Sequence, residues 1–304
     1  MRKSLITGGA GFIGSHLAEA LLKRGDEVFI IDNLSSGSAD NIRNLRNNPR
    51  LHTTICSILD RQTLTPLIQQ ADIVFHLAAT VGVLKIIDSP VETIETNILG
   101  THEVLSIAAR FNKLCFITST SEVYGKSERV PFDEEDDAIY GPTTKSRWSY
   151  ACSKAVDEFL SLAYYREKGL PVIIARLFNT VGPRQTGRYG MVLPRLVSQA
   201  LEGRPLTVYG TGQQTRCFID VSDVVNCFLD LVDNPSAVGQ IFNIGNPEEV
   251  SIRQLAEEVK KATNSASGIV LVPYDTAYQP GFEDMERRVP SIKKVAKLTG
   301  FSPK

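Results

Sequence analysis

The sequence predicts an α/β fold, a doubly wound parallel sheet with a smaller C-terminal substrate lobe interleaved with it. Three observations carry this expectation. Short β-rich runs alternate with longer helical patterns through the first two thirds of the 304 residues, a glycine-rich turn joins the first strand to the first helix, and the alternation changes after Asn179.

The first strand lies near Ser4 to Thr7 and the first helix near Phe12 to Arg24, with Gly8-x-x-Gly11-x-x-Gly14 at their junction. Glycines allow a tight strand-to-helix turn and let backbone approach a pyrophosphate, whose charge then sits on the amide-rich positive end of the helix. The second run, Glu27 to Asp32, ends in a carboxylate 18 residues after Gly14. There it can accept hydrogen bonds from the adenosine ribose, and it repels a ribose 2'-phosphate. No arginine follows it in Asn33-Leu34-Ser35-Ser36-Gly37, so NAD is expected rather than NADP. Gly8, Gly11, Phe12, Ile13, Gly14, Asp32 and Asn33 are the expected contacts on this side of the cofactor.

Further strands follow near Leu51 to Cys56, Ile73 to Leu77, Leu114 to Ser119 and Val172 to Leu177, with helices near Arg61 to Gln70, Val91 to Ala109 and Tyr150 to Glu167. Such alternation implies a parallel sheet covered on both faces, with ligands at the carboxyl ends of its strands. Gly182-Pro183, a Gly/Arg/Gln-rich stretch to Gly190, a helix near Val192 to Glu202 and the turn Gly210-Thr211-Gly212 read as excursions that build the second lobe. A helix near Val221 to Asp233 and a strand near Gln240 to Ile244 return to the sheet. The expected division is 1–176 with 217–247 for the Rossmann, NAD-binding part, and 177–216 with 248–304 for the substrate lobe.

Composition narrows the function classes. With 42% hydrophobic and 22% charged residues the chain is an ordinary globular one, and a net charge of -1 gives no global pull toward nucleic acid or an anionic membrane. Five scattered cysteines without a Cys-x-x-Cys pair, and four histidines without ligand spacing, predict neither a disulfide framework nor a metal site. The apolar run after Met1-Arg2-Lys3 is cut at Gly8-Gly9, short of a signal peptide, and no stretch reaches the length of a membrane span. A reducing, cytoplasmic setting is expected.

Tyr150 and Lys154 are four apart at the start of a helical run and share one face. An ammonium beside a phenol stabilises phenolate and lowers a pKa of about 10. Tyr150 is therefore the expected base for a sugar hydroxyl, while Lys154 also holds the nicotinamide ribose. The strand end Thr118-Ser119-Thr120-Ser121-Glu122 supplies hydroxyls for the reacting sugar oxygen, and Glu122 is a candidate acid/base.

Together these residues resemble the extended short-chain dehydrogenase/reductase superfamily, in its nucleotide-sugar epimerase, dehydratase and decarboxylase branch. The resemblance runs from Arg2 to about Lys304 and includes His76-Leu77-Ala78-Ala79, Glu95-Thr96-Asn97, Arg176 to Arg184, Arg216-Cys217-Phe218, Asn243 to Asn246 and Arg288-Val289-Pro290-Ser291. It implies that Thr120 or Ser121 binds the sugar 4-hydroxyl and that Tyr150 is the base supported by Lys154. It further implies that Ser57, Ile58, Leu77, Ala78, Ala79 and Asn97 belong to the NAD site, and that Asn179, Arg216 and Arg288 hold the nucleotide diphosphate or nearby sugar groups.

Sugar 4,6-dehydratases present Thr-Asp-Glu where this chain has Thr120-Ser121-Glu122, and a serine is a poor proton donor to a departing hydroxide. Thr-Ser-Glu-Val-Tyr-Gly is the form of UDP-glucuronate decarboxylases, which the segment Gly141-Pro142 to Tyr150 also resembles. Decarboxylation of UDP-glucuronate to UDP-xylose is thus the leading expectation. Two departures stand against the pattern: Lys85-Ile86-Ile87-Asp88-Ser89-Pro90 lacks the usual tyrosine, with Lys85 the replacement contact for the substrate carboxylate, and Ser57-Ile58-Leu59-Asp60 lacks the usual first Asp. A UDP-sugar 4-epimerase remains open, with Arg184 as the carboxylate clamp. So does an NAD-binding regulatory protein, which intact Tyr150, Lys154 and Thr120 argue against. The resemblance also implies a homodimer through the helices near Val91 to Ala109 and Tyr150 to Glu167, and a further helix in relatives beyond the equivalent of Phe301-Ser302-Pro303.

Overall fold

The computed structural model describes residues 1–81, 89–187, 191–273, 285 and 287–304. Its strands are β1 (Lys3–Thr7), β2 (Glu27–Asp32), β3 (Leu51–Ile55), β4 (Ile73–His76), β5 (Leu114–Thr120), β6 (Val172–Leu177), β7 (Thr180–Val181), β8 (Leu206–Tyr209), β9 (Thr215–Cys217), β10 (Ile219–Asp220), β11 (Gln240–Ile244), β12 (Glu249–Ser251) and β13 (Ile269–Val272). The main helices are α1 (Phe12–Arg24), α2 (Arg61–Gln70), α3 (Pro90–Phe111), α4 (Arg147–Lys168), α5 (Val192–Leu201), α6 (Val221–Val232), α7 (Ile252–Ala262) and α8 (Lys293–Thr299).

Seven strands form one sheet in the order β11-β6-β5-β4-β1-β2-β3, every neighbouring pair parallel. Its central strands are buried along nearly their whole length because both faces are covered, which is why they read as unbroken apolar runs rather than alternating ones. On one face Leu17 and Leu21 of α1 meet Val224 and Phe228 of α6, and Val295 of α8 joins the same core. On the other, Leu64 of α2 and Val104 of α3 pack over Leu5, Val74 and Ile117. The chain leaves β1 toward β2 and β3 and returns on the other side of β1 at β4. A crevice opens at such a reversal, between the carboxyl ends of β1 and β4.

The expected elements of the sheet are present with small shifts at their ends. The helix expected from Tyr150 begins at Arg147, so Tyr150 sits in its first turn and Arg147 joins the same face. Beyond β6 the second lobe has its own core of Leu196, Leu206, Val208, Ile252 and Ala256. Three two-stranded pairs build it: β7 with β10, β9 with β12, and β8 with β13. Strands β7, β8, β9, β10, β12 and β13 and helices α7 and α8 were not among the sequence expectations. Among the described residues, no helix is long and apolar enough to cross a membrane.

Candidate active site

One cavity runs from the glycine turn along the carboxyl ends of β1, β4, β5 and β6 and on between the sheet and the second lobe. Its floor is the turn itself. Gly8 has a φ of +73°, and a Cβ there would meet the Ala78 nitrogen at 2.9 Å. A Cβ on Gly14 would sit 2.2 Å from the Gly8 carbonyl oxygen. The turn therefore closes only with hydrogen at these positions. Helix α1 begins at Gly11 with no side-chain cap and no acidic residue in its first turn, so its amides remain available to an anion.

Asp32, 7% exposed, accepts from the Ala10 amide at 2.9 Å and the Leu34 amide at 2.7 Å. These bonds fix the carboxylate on the cavity wall beside Asn33. Phe12, Ile13, Ser57, Ile58, Leu77, Ala78 and Ala79 line the same section. Asp60 caps α2 by accepting from the Gln62 and Thr63 amides and leaves Ser57 and Ile58 to face the cavity. Asn97 is buried behind the wall, where it accepts from the Thr80 amide at 2.9 Å and donates to Ser153 at 3.1 Å. It braces the wall against α4. A glycine cradle, an uncapped helix end and an acidic residue at the ribose position together fit a bound NAD.

The chemical groups converge past this section. Thr120 ends β5, accepts from the Glu122 amide at 3.2 Å and hydrogen-bonds the Tyr150 phenol. Glu122 lies between two guanidinium groups, Arg288 at 2.8 Å and Arg147 at 3.5 Å. Burial works against its charge, but Arg288 and Arg147 outweigh burial and hold its carboxyl below the usual range. Arg288 also donates to Ser121 at 3.5 Å.

The Lys154 ammonium pairs at 2.9 Å with Asp157, both side chains being almost completely buried. Burial raises the Asp157 carboxyl above its ordinary value, and Lys154 works against that rise. This corrects the expectation that Lys154 lowers the Tyr150 phenol. Burial first, and the Glu122 charge second, push the phenol above its usual value, and the Thr120 hydrogen bond only moderates the rise. Beneath them His76 is locked between Thr7 at 2.8 Å and Thr101 at 3.0 Å, and burial depresses its pKa to about 3. His76 is a neutral structural residue.

Asn179 donates to the Cys217 carbonyl at 2.9 Å, and with Arg216 and Arg288 it lines the cavity. Arg184 does not. A φ of +69° turns it toward α1, where it pairs with Glu19 at 2.7 Å and donates to Ser15 at 3.3 Å. Lys85 lies outside the described residues. Arg147, Asp157, Arg195 and Tyr209 carry features that residue-by-residue reading missed. Only Arg147 and Asp157 left a signal, each three residues from a catalytic position on the same helix.

A dinucleotide turn, a Tyr-Lys pair beside a hydroxyl-bearing strand end, and a second lobe with arginines in its wall define an extended short-chain dehydrogenase/reductase acting on nucleotide sugars. The chain belongs to the GDP-mannose 4,6 dehydratase family, whose model matches residues 5–304. It is 45% identical over 303 residues to the UDP-N-acetyl-alpha-D-glucosaminuronate decarboxylase of Bacillus cytotoxicus, covering 99% of this chain and 93% of the relative. It is 38% identical to UDP-glucuronic acid decarboxylase 1 of Arabidopsis thaliana, covering 99% of this chain and 66% of that longer protein. Among solved structures, the UDP-glucuronic acid 4-epimerase of Bacillus cereus, in complex with UDP-glucuronic acid and NAD, superposes with a TM-score of 0.89 at 30% identity, covering 99% of this chain and 94% of that one.

Proposed function

We propose that this protein is an NAD-dependent UDP-uronate decarboxylase that converts UDP-glucuronate to UDP-xylose. The carrying observation is that Tyr150, Lys154, Thr120 and the Glu122–Arg288 pair share one cavity with the glycine turn. NAD, when bound, supplies the two-electron acceptor and donor for sugar C4. Tyr150, once ionised, takes the proton of the 4-hydroxyl and becomes a phenol again, and Thr120 holds the oxygen beside it. The Lys154 ammonium offsets the phenolate charge before that transfer.

A ketone at C4 makes the 5-carboxylate a β-keto acid. Carbon dioxide leaves, and the electrons of the broken bond pass into an enolate. Protonation at C5 and return of the Tyr150 proton to the 4-oxygen complete the pentose. Glu122, ionised between its arginines, keeps Arg288 aimed into the cavity, and the buried Arg288 Nε retains a donor for the substrate. Ser121, where dehydratases carry an acid, offers no efficient proton for a leaving hydroxide.

Epimerisation requires that the carboxylate be restrained, and the expected clamp, Arg184, is bound to Glu19 away from the cavity wall. That favours decarboxylation. The 45% relative, named for an N-acetylated uronate, supports a second reading in which the same chemistry acts on a sugar bearing a 2-acetamido group. We place the protein in the cytoplasm, where its five free thiols stay reduced. We place a second copy against the outer face of α3 and α4, where Val91, Ile94, Val156 and Phe159 are exposed.

The test is incubation of the NAD-loaded protein with UDP-glucuronate and, separately, UDP-N-acetylglucosaminuronate. Carbon dioxide with a UDP-pentose from either supports decarboxylation and identifies the C2 group. UDP-galacturonate without gas assigns epimerisation instead, and NAD binding with no turnover assigns the regulatory role.

A further inference from the structure

The chemistry above leaves one buried acid without a task. Asp157 follows Lys154 by three residues on α4, and its carboxylate meets the ammonium at 2.9 Å with 0% of the acid and 3% of the lysine side chain exposed. Its other oxygen, Oδ1, is buried without a hydrogen bond. A buried ion pair is no better for stability than apolar packing, so a role beyond folding is implied for it.

Hydrogen bonds reach the carboxylate from the cofactor wall. The Ala78 amide donates to the Thr7 hydroxyl at 3.1 Å, and Thr7 in turn meets Nδ1 of neutral His76 at 2.8 Å. With Thr7 donating to Nδ1, the ring proton sits on Nε2 and is donated to Thr101 of α3 at 3.0 Å. Thr101 then keeps its own proton for Asp157, whose charge it favours. The other tautomer would leave the Thr7 proton unused among the described residues. Two more acids face this region, Glu158 from the same helix and Glu122 from the segment after β5. Arg176 of β6 pairs with Glu158 at 2.8 Å and Arg288 with Glu122 at 2.8 Å, which leaves Lys154 to Asp157.

We propose that Asp157 is a positioning residue that keeps Lys154 an ammonium ion at the side of Tyr150. Burial disfavours a charged amine, so a lysine alone in so dry a site sheds its proton. A neutral Lys154 cannot offset phenolate. The proposal rests on the reading that Tyr150 and Lys154 act together on a sugar hydroxyl, but its first test needs neither NAD nor substrate.

Thermal melts of wild type, Asp157→Asn, Lys154→Met and the double variant are followed from about pH 7 to about pH 9.5, below the ordinary lysine value of about 10.4. Folded Asp157→Asn carries a neutral Lys154 while its unfolded chain binds that proton, so its stability rises with pH. Wild type binds the proton in both states and lacks this rise. The gap in Tm between them is expected to narrow by about half over the range. In the Lys154→Met background Asp157→Asn is expected to raise Tm instead, because it removes a buried acid that has lost its counter-ion. NAD-loaded Asp157→Asn is expected to turn over UDP-glucuronate about tenfold more slowly or worse at neutral pH.

A gap that does not change with pH, an equal loss of stability in both backgrounds, or undiminished turnover overturns the proposal. If the single variant fails to fold, a folded double variant supports it and an unfolded one overturns it. Wild type that turns over no UDP-uronate strikes the substrate reading alone, and the melts still decide the role of Asp157.

Discussion

Tyr150 is neutral in this structure, held so by burial and by the Glu122 charge, with the Thr120 hydrogen bond and the Arg288 charge working the other way. To act as general base it must first give up that proton and then take the one on the sugar 4-hydroxyl, so removing its hydroxyl should strike the chemical step alone. Tyr150→Phe is expected to lower turnover of UDP-glucuronate by about 10²- to 10⁴-fold, the usual contribution of a positioned acid/base group. NAD affinity should stay within about threefold by the same logic, because the glycine turn and Asp32 are untouched. A stopped assay for product and a titration with NAD read the two quantities, and undiminished turnover would remove Tyr150 from its role. Tyr150 and Lys154 were legible in the sequence because helix geometry sets their four-residue spacing, and Thr120 because it closes a hydroxyl-rich strand end. The partner of Lys154 was not, since Asp157 at the next turn reads as an ordinary surface pair until its complete burial is seen. Arg184 and Arg195 show the limit from the other side. They are the same residue type on one stretch of chain, and only the left-handed backbone at Arg184 and the placement of α5 decide that the second lines the cavity and the first does not.

Helices α3 and α4 pack side by side over the sheet through residues such as Leu105, Ala108 and Leu160. Each also carries apolar side chains outward: Val91 and Ile94 on α3, Val156 and Phe159 on α4, the last 74% exposed. Both pairs are three residues apart, so each forms a stripe on one face of its helix. A second copy of the chain seated there would cover all four. Phe159→Asp is then expected to convert a dimer to a monomer, read as a halving of mass by light scattering behind a sizing column. A wild-type monomer, or an unchanged dimer in the variant, would defeat this placement. At this scale the sheet was readable because its strands are long enough to show unbroken apolar runs and its helices long enough to show a 3.6-residue period. The second lobe offers less. Strands of two or three residues such as β7, β9 and β10 have no measurable period, and they exist because distant segments pair with them. Helix α7 did leave a signal, Ser251 and Gln254 forming a reciprocal capping box at its start.

Across the whole molecule, the crevice at the sheet reversal joins parts far apart in sequence. The glycine turn follows β1, Ala78 and Ala79 follow β4, Thr120 ends β5 and Lys154 projects from α4. NAD bound in the cavity they share would bind only the folded chain and so raise the stability of the fold. At a hundredfold excess over its dissociation constant the gain is about 2.7 kcal/mol. For a chain of this size that corresponds to a melting temperature higher by about 5 °C, taking roughly 2 °C per kcal/mol. NADP should raise it less at equal concentration. Asp32 sits buried where the adenosine ribose is expected, its two oxygens already bonded to the Ala10 and Leu34 amides. A carboxylate pinned in that way cannot swing aside from a 2'-phosphate, and one pair of like charges there costs affinity. Thermal melts with each dinucleotide, at matched concentrations, should therefore rank NAD above NADP. The Asp32→Ser variant should narrow the gap by weakening NAD and sparing NADP. Equal shifts for the two cofactors in the unaltered protein would show that the 2'-position does not meet Asp32.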